Sequence, residues 1–360
     1  MQHGLVKILS ASDGKSKWIF DVGCILLCLM MLVPIAGCSV KNIKPDEVIK
    51  TDANSYSVKN LAFCKVSDKE SCRLISIDSA YNTVAVNVSI YSLPLSADTS
   101  REIVLLYDLE GKLQSQINVL DAIGTDKVIV DAAIDTAGNL SIFARAQGDD
   151  NVVHNYLYSF DSKGKLAGDP IELTFGESIL PTNFVIGTDG NMFFGDNQRA
   201  GMSVGRQIDV YDSKGNMMFV ASTSRLVGNL YQTGDMIYTD SNVGGTNAAN
   251  TTELIPINLE SPEFGTPIDV SHVTSSGGTL YAGSDGFYLI NSKGIYSVNL
   301  DTQDTNKLIL WKDTDMDLNA GTYNVFPAAV ISSDKILLFS SKTSEADGTA
   351  AITVSLLTRK

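Results

Sequence analysis

The sequence has few of the residues from which catalytic and metal sites are usually built. It contains three histidines, five cysteines and two tryptophans in 360 residues. No Cys/His cluster with metal-ligand spacing, phosphate-binding loop or dinucleotide fingerprint is present. Ser203 stands in a G-x-S-x-G pattern, but between two predicted strands, and only His154 and His272 follow the first 37 residues. We therefore expect no catalytic triad, metal or cofactor, and a chain that is not an enzyme.

Basic residues are also scarce, with 27 Lys and Arg against 41 Asp and Glu, a net charge of −14. This balance argues against nucleic acid or anionic lipid headgroups as the main partner, because phosphate binding needs clustered cations. The acidic stretch Asp313–Asn319 begins like a calcium loop, with carboxylates at alternate positions. Leu318 replaces the required glycine and Asn324 the bidentate glutamate, so we interpret the stretch as a solvated loop.

One apolar run stands near the N-terminus, from Val22 to Ile35, and it is shorter than the roughly 20 residues that a membrane-spanning helix needs. Lysines precede it and small residues end it, which predicts a secretory signal peptide over residues 1–37. Ile35-Ala36-Gly37-Cys38 resembles the lipobox of bacterial lipoproteins. That resemblance implies cleavage before Cys38, acylation of its thiol and an anchor on the extracellular face of the cell membrane. The alternative is a transmembrane helix with Cys38 incidental.

Residues 38–54 are polar and aperiodic, and we interpret them as a tether that holds the following domain off the membrane. Cys24 and Cys28 would be removed with the signal peptide, which leaves Cys64 and Cys72. A lone nearby pair in an exported chain is a disulfide candidate, and two reduced thiols remain the alternative.

Beyond the tether, two short sequence motifs recur at a nearly fixed spacing. An aromatic residue followed by D-x-x-G ends a predicted strand at Asp108, Asp161 and Asp212, with intervals of 53 and 51 residues. A second turn motif, at residues 134–140, recurs 52 residues later at 186–192. Glycine after an Asp and two turn residues is typical of a tight turn between antiparallel strands. Two turns per period predict a β-propeller.

Strands of four to nine residues, with no convincing helical period, predict an all-β fold over residues 55–360. They form six groups, so we predict six four-stranded antiparallel blades, with seven as the alternative. The sixth group lacks a fourth strand, and Tyr56–Ala62 is a spare strand that would close the ring as its outer strand. The groups span residues 73–118, 128–173, 181–222, 226–270, 279–311 and 325–357.

The connections between the second and third strand are long in every blade except the fifth, whereas the other hairpin turns are mostly short. Long loops on one face of a rigid scaffold often carry binding residues, so this face is the predicted ligand site. Drift of exposed loops is the alternative. These connections span residues 92–101, 146–151, 196–205, 241–251 and 341–349.

The fifth group, Gly294–Asp301 and then Lys307–Asp313, together with the D-x-x-G turns, resembles a known module. This is the propeller N-terminal to the substrate-binding domain of lipid-anchored extracellular solute-binding proteins of Clostridia-like bacteria. The likeness covers about residues 55–358, and the sequence stops where the solute-binding domain would begin. The resemblance implies a partner among ABC transporter components and a link to carbohydrate uptake.

We therefore expect a lipid-anchored extracellular propeller that binds a protein or carbohydrate. A propeller enzyme, a lyase or glycosidase acting on glycan, is the first alternative. A structural subunit of an envelope complex is the second.

Overall fold

The computed structural model describes most of the chain beyond residue 55, and it shows an all-β protein. The described ranges are 56–61, 70–81, 83–92, 101–148, 152–175, 180–195, 207–223, 225, 227–243, 251–274, 279–311, 323–325, 329–343 and 350–360. Six separate sheets stand in these ranges, each built from antiparallel neighbours, and the strands follow chain order in every sheet except the one that joins the two ends of the domain.

Blades 1 to 3 each contain four strands that follow one another along the chain. Blade 1 consists of β2 (Glu70–Ala80), β3 (Thr83–Ser92), β4 (Arg101–Asp108) and β5 (Leu113–Asn118). Blade 2 consists of β6 (Val128–Ile134), β7 (Leu140–Gln147), β8 (Val153–Phe160) and β9 (Ile171–Leu173). Blade 3 consists of β10 (Asn183–Ile186), β11 (Met192–Gly195), β12 (Gln207–Tyr211) and β13 (Met217–Ser222).

Blades 4 and 5 repeat this arrangement. Blade 4 consists of β14 (Leu230–Thr233), β15 (Met236–Val243), β16 (Thr251–Ile257) and β17 (Ile268–Asp269). Blade 5 consists of β18 (Thr279–Gly283), β19 (Gly286–Ile290), β20 (Gly294–Val298) and β21 (Thr305–Leu310).

Blade 6 joins the two ends of the domain. Its inner position is shared by β22 (Tyr323–Val325) and β23 (Ala329–Ser332), which pair one after the other with β24 (Lys335–Thr343). Then come β25 (Ala350–Arg359) and, as the outer strand, β1 (Tyr56–Leu61). The predicted closure of the ring by the first strand and the count of six blades are confirmed.

The core lies between the blades. Six clusters of buried side chains occupy the junctions 1–2, 2–3, 3–4, 4–5, 5–6 and 6–1, which together form a ring. The alternation of apolar side chains along each strand produces this arrangement, because successive residues point to opposite faces of a blade and so to different neighbours. On β7, for example, Ile142 packs towards blade 1 and Phe143 towards blade 3.

Two short helices, which the sequence pattern does not predict, lie in connections between blades. They are α1 (Val119–Ile123), between blades 1 and 2, and α2 (Ser271–Thr274), between blades 4 and 5. Both are too short to show a helical period in the sequence. Val119 and Ile123 are buried in the junction between blades 1 and 2, which explains their apolar side chains.

Candidate functional site

The hairpin turns define two faces of the ring. The turns that join strands 1–2 and 3–4 of each blade emerge on one face, which we call the short-turn face. The 2–3 connections and the connections between blades emerge on the opposite face, which we call the long-loop face.

The repeated D-x-x-G motifs form turns on the short-turn face, as the sequence predicts. In blade 3, the Asp212 Oδ1 accepts hydrogen bonds from the backbone N–H groups of Lys214 and Asn216, both at 2.9 Å. Gly215 then adopts φ +83°, a conformation that side chains with a Cβ rarely adopt. Asp108 and Asp161 make the same pair of side-chain bonds in blades 1 and 2. These aspartates therefore have a structural role in the turns.

Tyr81 lies on the short-turn face and reaches past blade 2 to blade 3. It occupies the 1–2 turn of blade 1 with φ +52°, and its hydroxyl donates to the Ile186 carbonyl of blade 3 at 2.9 Å. Burial and the nearby carboxylates of Asp189, Asp135 and Asp235 raise the pKa of Tyr81 to about 12. Tyr81 therefore links the 1–2 turn of blade 1 to the inner strand of blade 3.

Both described ends of the domain lie on the short-turn face. β1 is antiparallel to β25, with Tyr56 opposite Arg359. The Arg359 N–H donates to the carbonyl of Asp334, which belongs to the 1–2 turn of blade 6, at 2.9 Å. The Tyr56 hydroxyl donates to the carbonyl of Ser333 in the same turn at 2.8 Å. β1 therefore begins on the face opposite the long loops.

The predicted binding loops of the long-loop face lie largely outside the described residues. Blade 5 is the exception, as the sequence predicts, since its 2–3 connection is a tight turn. The Asn291 N–H donates to the carbonyl of Gly294 at 3.0 Å, and the Trp311 indole N–H donates to the carbonyl of Asn291 at 2.8 Å. The 2–3 connection of blade 5 therefore extends little beyond its sheet on this face.

An aromatic and charged patch lies at the long-loop end of blade 2, on the side that faces blade 1. We call it the blade 2 patch, and it consists of Lys127, His154, Tyr156 and Glu172. The His154 Nδ1 lies 2.7 Å from the Glu172 Oε1, and the rings of His154 and Tyr156 are stacked with centroids 6.2 Å apart. The Lys127 Nζ lies 5.8 Å from the centroid of the Tyr156 ring. Asp126 pairs with this ammonium at 2.8 Å, which raises the pKa of Lys127.

A second polar cluster lies on the inner strands of blade 4. Both oxygens of Asp240 are engaged: Oδ1 accepts from the Asn229 N–H at 2.6 Å, and Oδ2 accepts from the Tyr231 hydroxyl at 2.9 Å. On blade 2, the Arg145 guanidinium donates to the Pro181 carbonyl. These side chains satisfy backbone groups where inner strands begin, so they fix the geometry of the rim.

Asp209 is a buried carboxyl group in the middle of blade 3. It is 1% exposed, and its Oδ1 accepts a hydrogen bond of 2.9 Å from the Gln207 amide. Its Oδ2 has no hydrogen-bond partner among the described residues. Burial raises the pKa of Asp209, and the bond from Gln207 opposes this only in part. Asp209 therefore lowers stability when it is ionised.

Most of the residues that the sequence singled out lie outside the described ranges, including Cys38, Cys64, Ser203 and the Asp313–Asn319 stretch. Cys72 lies on β2 opposite Ile90. His154 belongs to the blade 2 patch. The backbone of His272, which the sequence pattern places at the end of a strand, lies in α2.

The described residues contain neither a group of metal-ligating side chains nor a membrane-spanning helix. Within those ranges, no three His, Cys, Asp or Glu residues come together as metal ligands would. Nor do they contain a helix with the length and apolarity required for crossing a membrane.

Comparison with known proteins supports the fold. No family model matches the sequence, and no curated protein matches it. The hemagglutinin-neuraminidase ectodomain of parainfluenza virus 5 is similar in structure, with a TM-score of 0.51 and 10% identity over 96% of this chain and 94% of that one. At this identity the likeness shows the β-propeller fold alone.

Two further solved structures are less similar. BamB from Moraxella catarrhalis has a TM-score of 0.34 and 13% identity over 84% of this chain and 98% of that one. A protein of unknown function from Bacteroides caccae has a TM-score of 0.37 and 11% identity over 65% and 93%. The lineage of solute-binding lipoproteins has no matching family or named relative among the comparisons and stays an expectation.

Proposed function

We propose that this chain is a lipid-anchored extracellular binding module that captures a ligand on its long-loop face. The observation that carries the proposal is the position of Tyr56 on the short-turn face. Cys38 and the tether precede Tyr56 in the sequence, so the anchor would be attached opposite the long loops. The long-loop face would then point away from the membrane, towards ligands in the medium.

The tether is long enough for this orientation. The 17 residues from Ser39 to Ser55 would span at most about 60 Å when fully extended. As a flexible polar chain they would have a typical end-to-end distance of roughly 20–25 Å. Either distance leaves room between the headgroups and the short-turn face.

With a net charge of −14, the ligand is a protein or a carbohydrate rather than nucleic acid. In a role in solute uptake, components of an ABC transporter would be the further partner.

Shortening two of the long loops tests this proposal. The structure places Asn242 and Val243 in β15, so the change is confined to the residues between the strands. Removal of most of Gly244–Asn250 together with Gln198–Val204 should abolish ligand capture and lower the melting temperature by only a few degrees, since surface loops tolerate such changes. The matched control shortens the turn of the short-turn face within Glu260–Glu263, which leaves Leu259 and Phe264 in their contacts with the core. Binding of the immobilised chain to a glycan array and to purified secreted proteins is the measurement.

Unchanged binding in the loop-shortened chain, or equal loss in the control, would contradict the proposal. Chemical conversion of a bound glycan during the same assay would instead favour the alternative of a propeller enzyme.

A further inference from the structure

We propose that Asp209 is a pH-sensitive switch, which opens the long-loop end of the junction between blades 2 and 3 when its carboxyl group ionises. Three features of this junction carry the inference: a buried carboxyl oxygen without a partner, an apolar layer around it and an open end next to that layer. The opening itself is independent of the proposed function. Its effect on ligand capture rests on the proposed function.

The carboxyl group of Asp209 is buried with one of its oxygens unsatisfied. Asp209 is 1% exposed, and on β12 it alternates with Ile208 and Val210, which pack towards blade 4, so its side chain points towards blade 2. The Gln207 amide donates to Oδ1 at 2.9 Å, whereas Oδ2 has no hydrogen-bond partner among the described residues. An ionised carboxylate accepts through both oxygens, so the charged form is poorly compensated at Oδ2.

The side chains opposite Asp209 are apolar. Its cross-strand neighbours are Phe194 and Val220, and Phe194 packs with Phe143 and Phe184 in an aromatic cluster between the two blades. In such a layer the neutral acid is favoured over the carboxylate, and burial raises the pKa of Asp209 above its ordinary value. The closed junction therefore favours the protonated form.

The charged side chains that face this junction from blade 2 are engaged with other groups. Within the described residues they are Asp131 and Arg145. Asp131 Oδ2 accepts from a backbone N–H of β10 at 2.8 Å, and Arg145 donates to a side chain of β8 at 3.2 Å and to the Pro181 carbonyl. On blade 3, the Tyr211 hydroxyl donates to a backbone carbonyl at 2.8 Å, and β10, β11 and β13 carry uncharged residues. Ionised Asp209 is therefore stabilised by reaching water rather than by an ion pair.

The junction is open at its long-loop end, next to the layer of Asp209. Val128 and Val153 begin β6 and β8, and the strand register places both on the side of blade 2 that faces blade 3. Their exposures are 67% and 48%, and Leu180, which precedes β10, is 42% exposed. Gln207, which is half-buried, lies between the carboxyl group and this end. A small displacement at the start of β12 would thus bring water to Oδ2.

This opening would act on the 2–3 connection of blade 3. β11 ends at Gly195 and β12 begins at Gln207, so the connection leaves the sheet at the point that opens. Well below about pH 4, Asp209 is protonated in both the closed and the open form, and the junction is closed. As the pH rises through the folded-state pKa, the opening constant rises by up to about tenfold per pH unit, the limit for one released proton. Ligand capture should weaken over the same range.

Hydrogen exchange of the full chain, measured by mass spectrometry from about pH 4 to 8, tests the switch. After correction for the intrinsic pH dependence of amide exchange, the opening constant of segment 207–211 should rise at least tenfold, whereas that of β19 in blade 5 should change less than twofold. Asp209→Asn should keep the segment closed throughout. Gln207→Leu removes a hydrogen bond to the ionised form and should move the transition to higher pH. Asp169→Asn, at an exposed carboxylate of blade 2, is the control and should behave as the wild type.

An opening constant of segment 207–211 that does not change with pH, or the same pH dependence in Asp209→Asn, would overturn the switch. Ligand capture at each pH, measured as for the proposed function, separates the two proposals. Capture that weakens with pH in the wild type but not in Asp209→Asn supports the coupling. If exchange shows the transition while capture is independent of pH, the coupling is wrong and the switch stands. If no ligand is captured at any pH, the proposed function is wrong, and the exchange result alone decides on the switch.

Discussion

Tyr56 is the residue whose replacement should most weaken the closure of the ring. It is 4% exposed and packs with Tyr288, Ile336 and Leu357 in the junction between blades 5 and 6. Tyr56→Ala should therefore cost about 3–5 kcal/mol of unfolding free energy, the usual range for removing a buried aromatic side chain. Tyr56→Phe removes only the hydrogen bond to the Ser333 carbonyl and should cost about 0.5–1.5 kcal/mol.

Urea unfolding of the purified chain, followed by circular dichroism, measures both values. Lys59→Ala, at an exposed position of the same strand, is the control and should change the unfolding free energy by less than about 0.5 kcal/mol. A Tyr56→Ala variant whose unfolding free energy lies within about 1 kcal/mol of the wild-type value would refute the reasoning that β1 is an integral strand of blade 6.

The same residue gives a pH dependence. Burial, aided by Asp334 and opposed by Arg359, raises the pKa of Tyr56 above 10.0. Because folding favours the neutral phenol, its contribution is fully present below pH 10 and is lost as the pH rises through the folded-state pKa. As the pH rises through this alkaline range, the unfolding free energy of Tyr56→Phe should fall less than that of the wild type. Equal decreases for the two proteins would contradict this.

Three further predictions follow from other residues. Burial raises the pKa of Asp209, so as the pH rises from about 4 through the folded-state pKa the wild type should lose stability relative to Asp209→Asn, and equal changes in the melting temperatures of the two proteins would contradict this. Gly164→Ala should cost at least about 1–2 kcal/mol in urea unfolding, because φ is +77° and the new Cβ would lie 2.8 Å from Ile117 Cγ1; a neutral effect would count against the turn geometry. Cys38→Ser should abolish labelling by radioactive fatty acid and leave uncleaved precursor, and labelled protein in this variant would rule out the lipobox interpretation.

Much of the architecture could be predicted from the sequence because local turn chemistry repeats in it. The Asp and Gly positions at 108–111, 161–164 and 212–215 each require a specific backbone conformation, so they mark the same turn in successive blades. Asn299 replaces the aspartate in blade 5, as the sequence indicates, and its side chain accepts from the backbone N–H groups of Asp301 and Thr302.

Other features depend on contacts that a local pattern does not contain. The inner position of blade 6 is divided between β22 and β23, although the sequence pattern predicts one strand over 325–331. The sequence pattern predicts outer strands over 166–173 and 266–270, whereas β9 and β17 are shorter, because edge residues have a pairing partner on only one side. The blade 2 patch joins Lys127 to Glu172 through the register of β8 and β9, so only the folded blade could identify it.

The pairing of β1 with β25 fixes both the closed ring and the direction of the long-loop face, and a crosslink tests it most directly. In a chain with Cys64 and Cys72 replaced by serine, Ser57→Cys and Thr358→Cys stand opposite each other in the register. Mass spectrometry of the oxidised protein should find them joined by a disulfide. Lys59→Cys with Thr358→Cys, two positions out of register, should be joined far less, because a disulfide requires Cα atoms within about 7 Å. Absence of the first crosslink, or equal yields for the two pairs, would contradict the account.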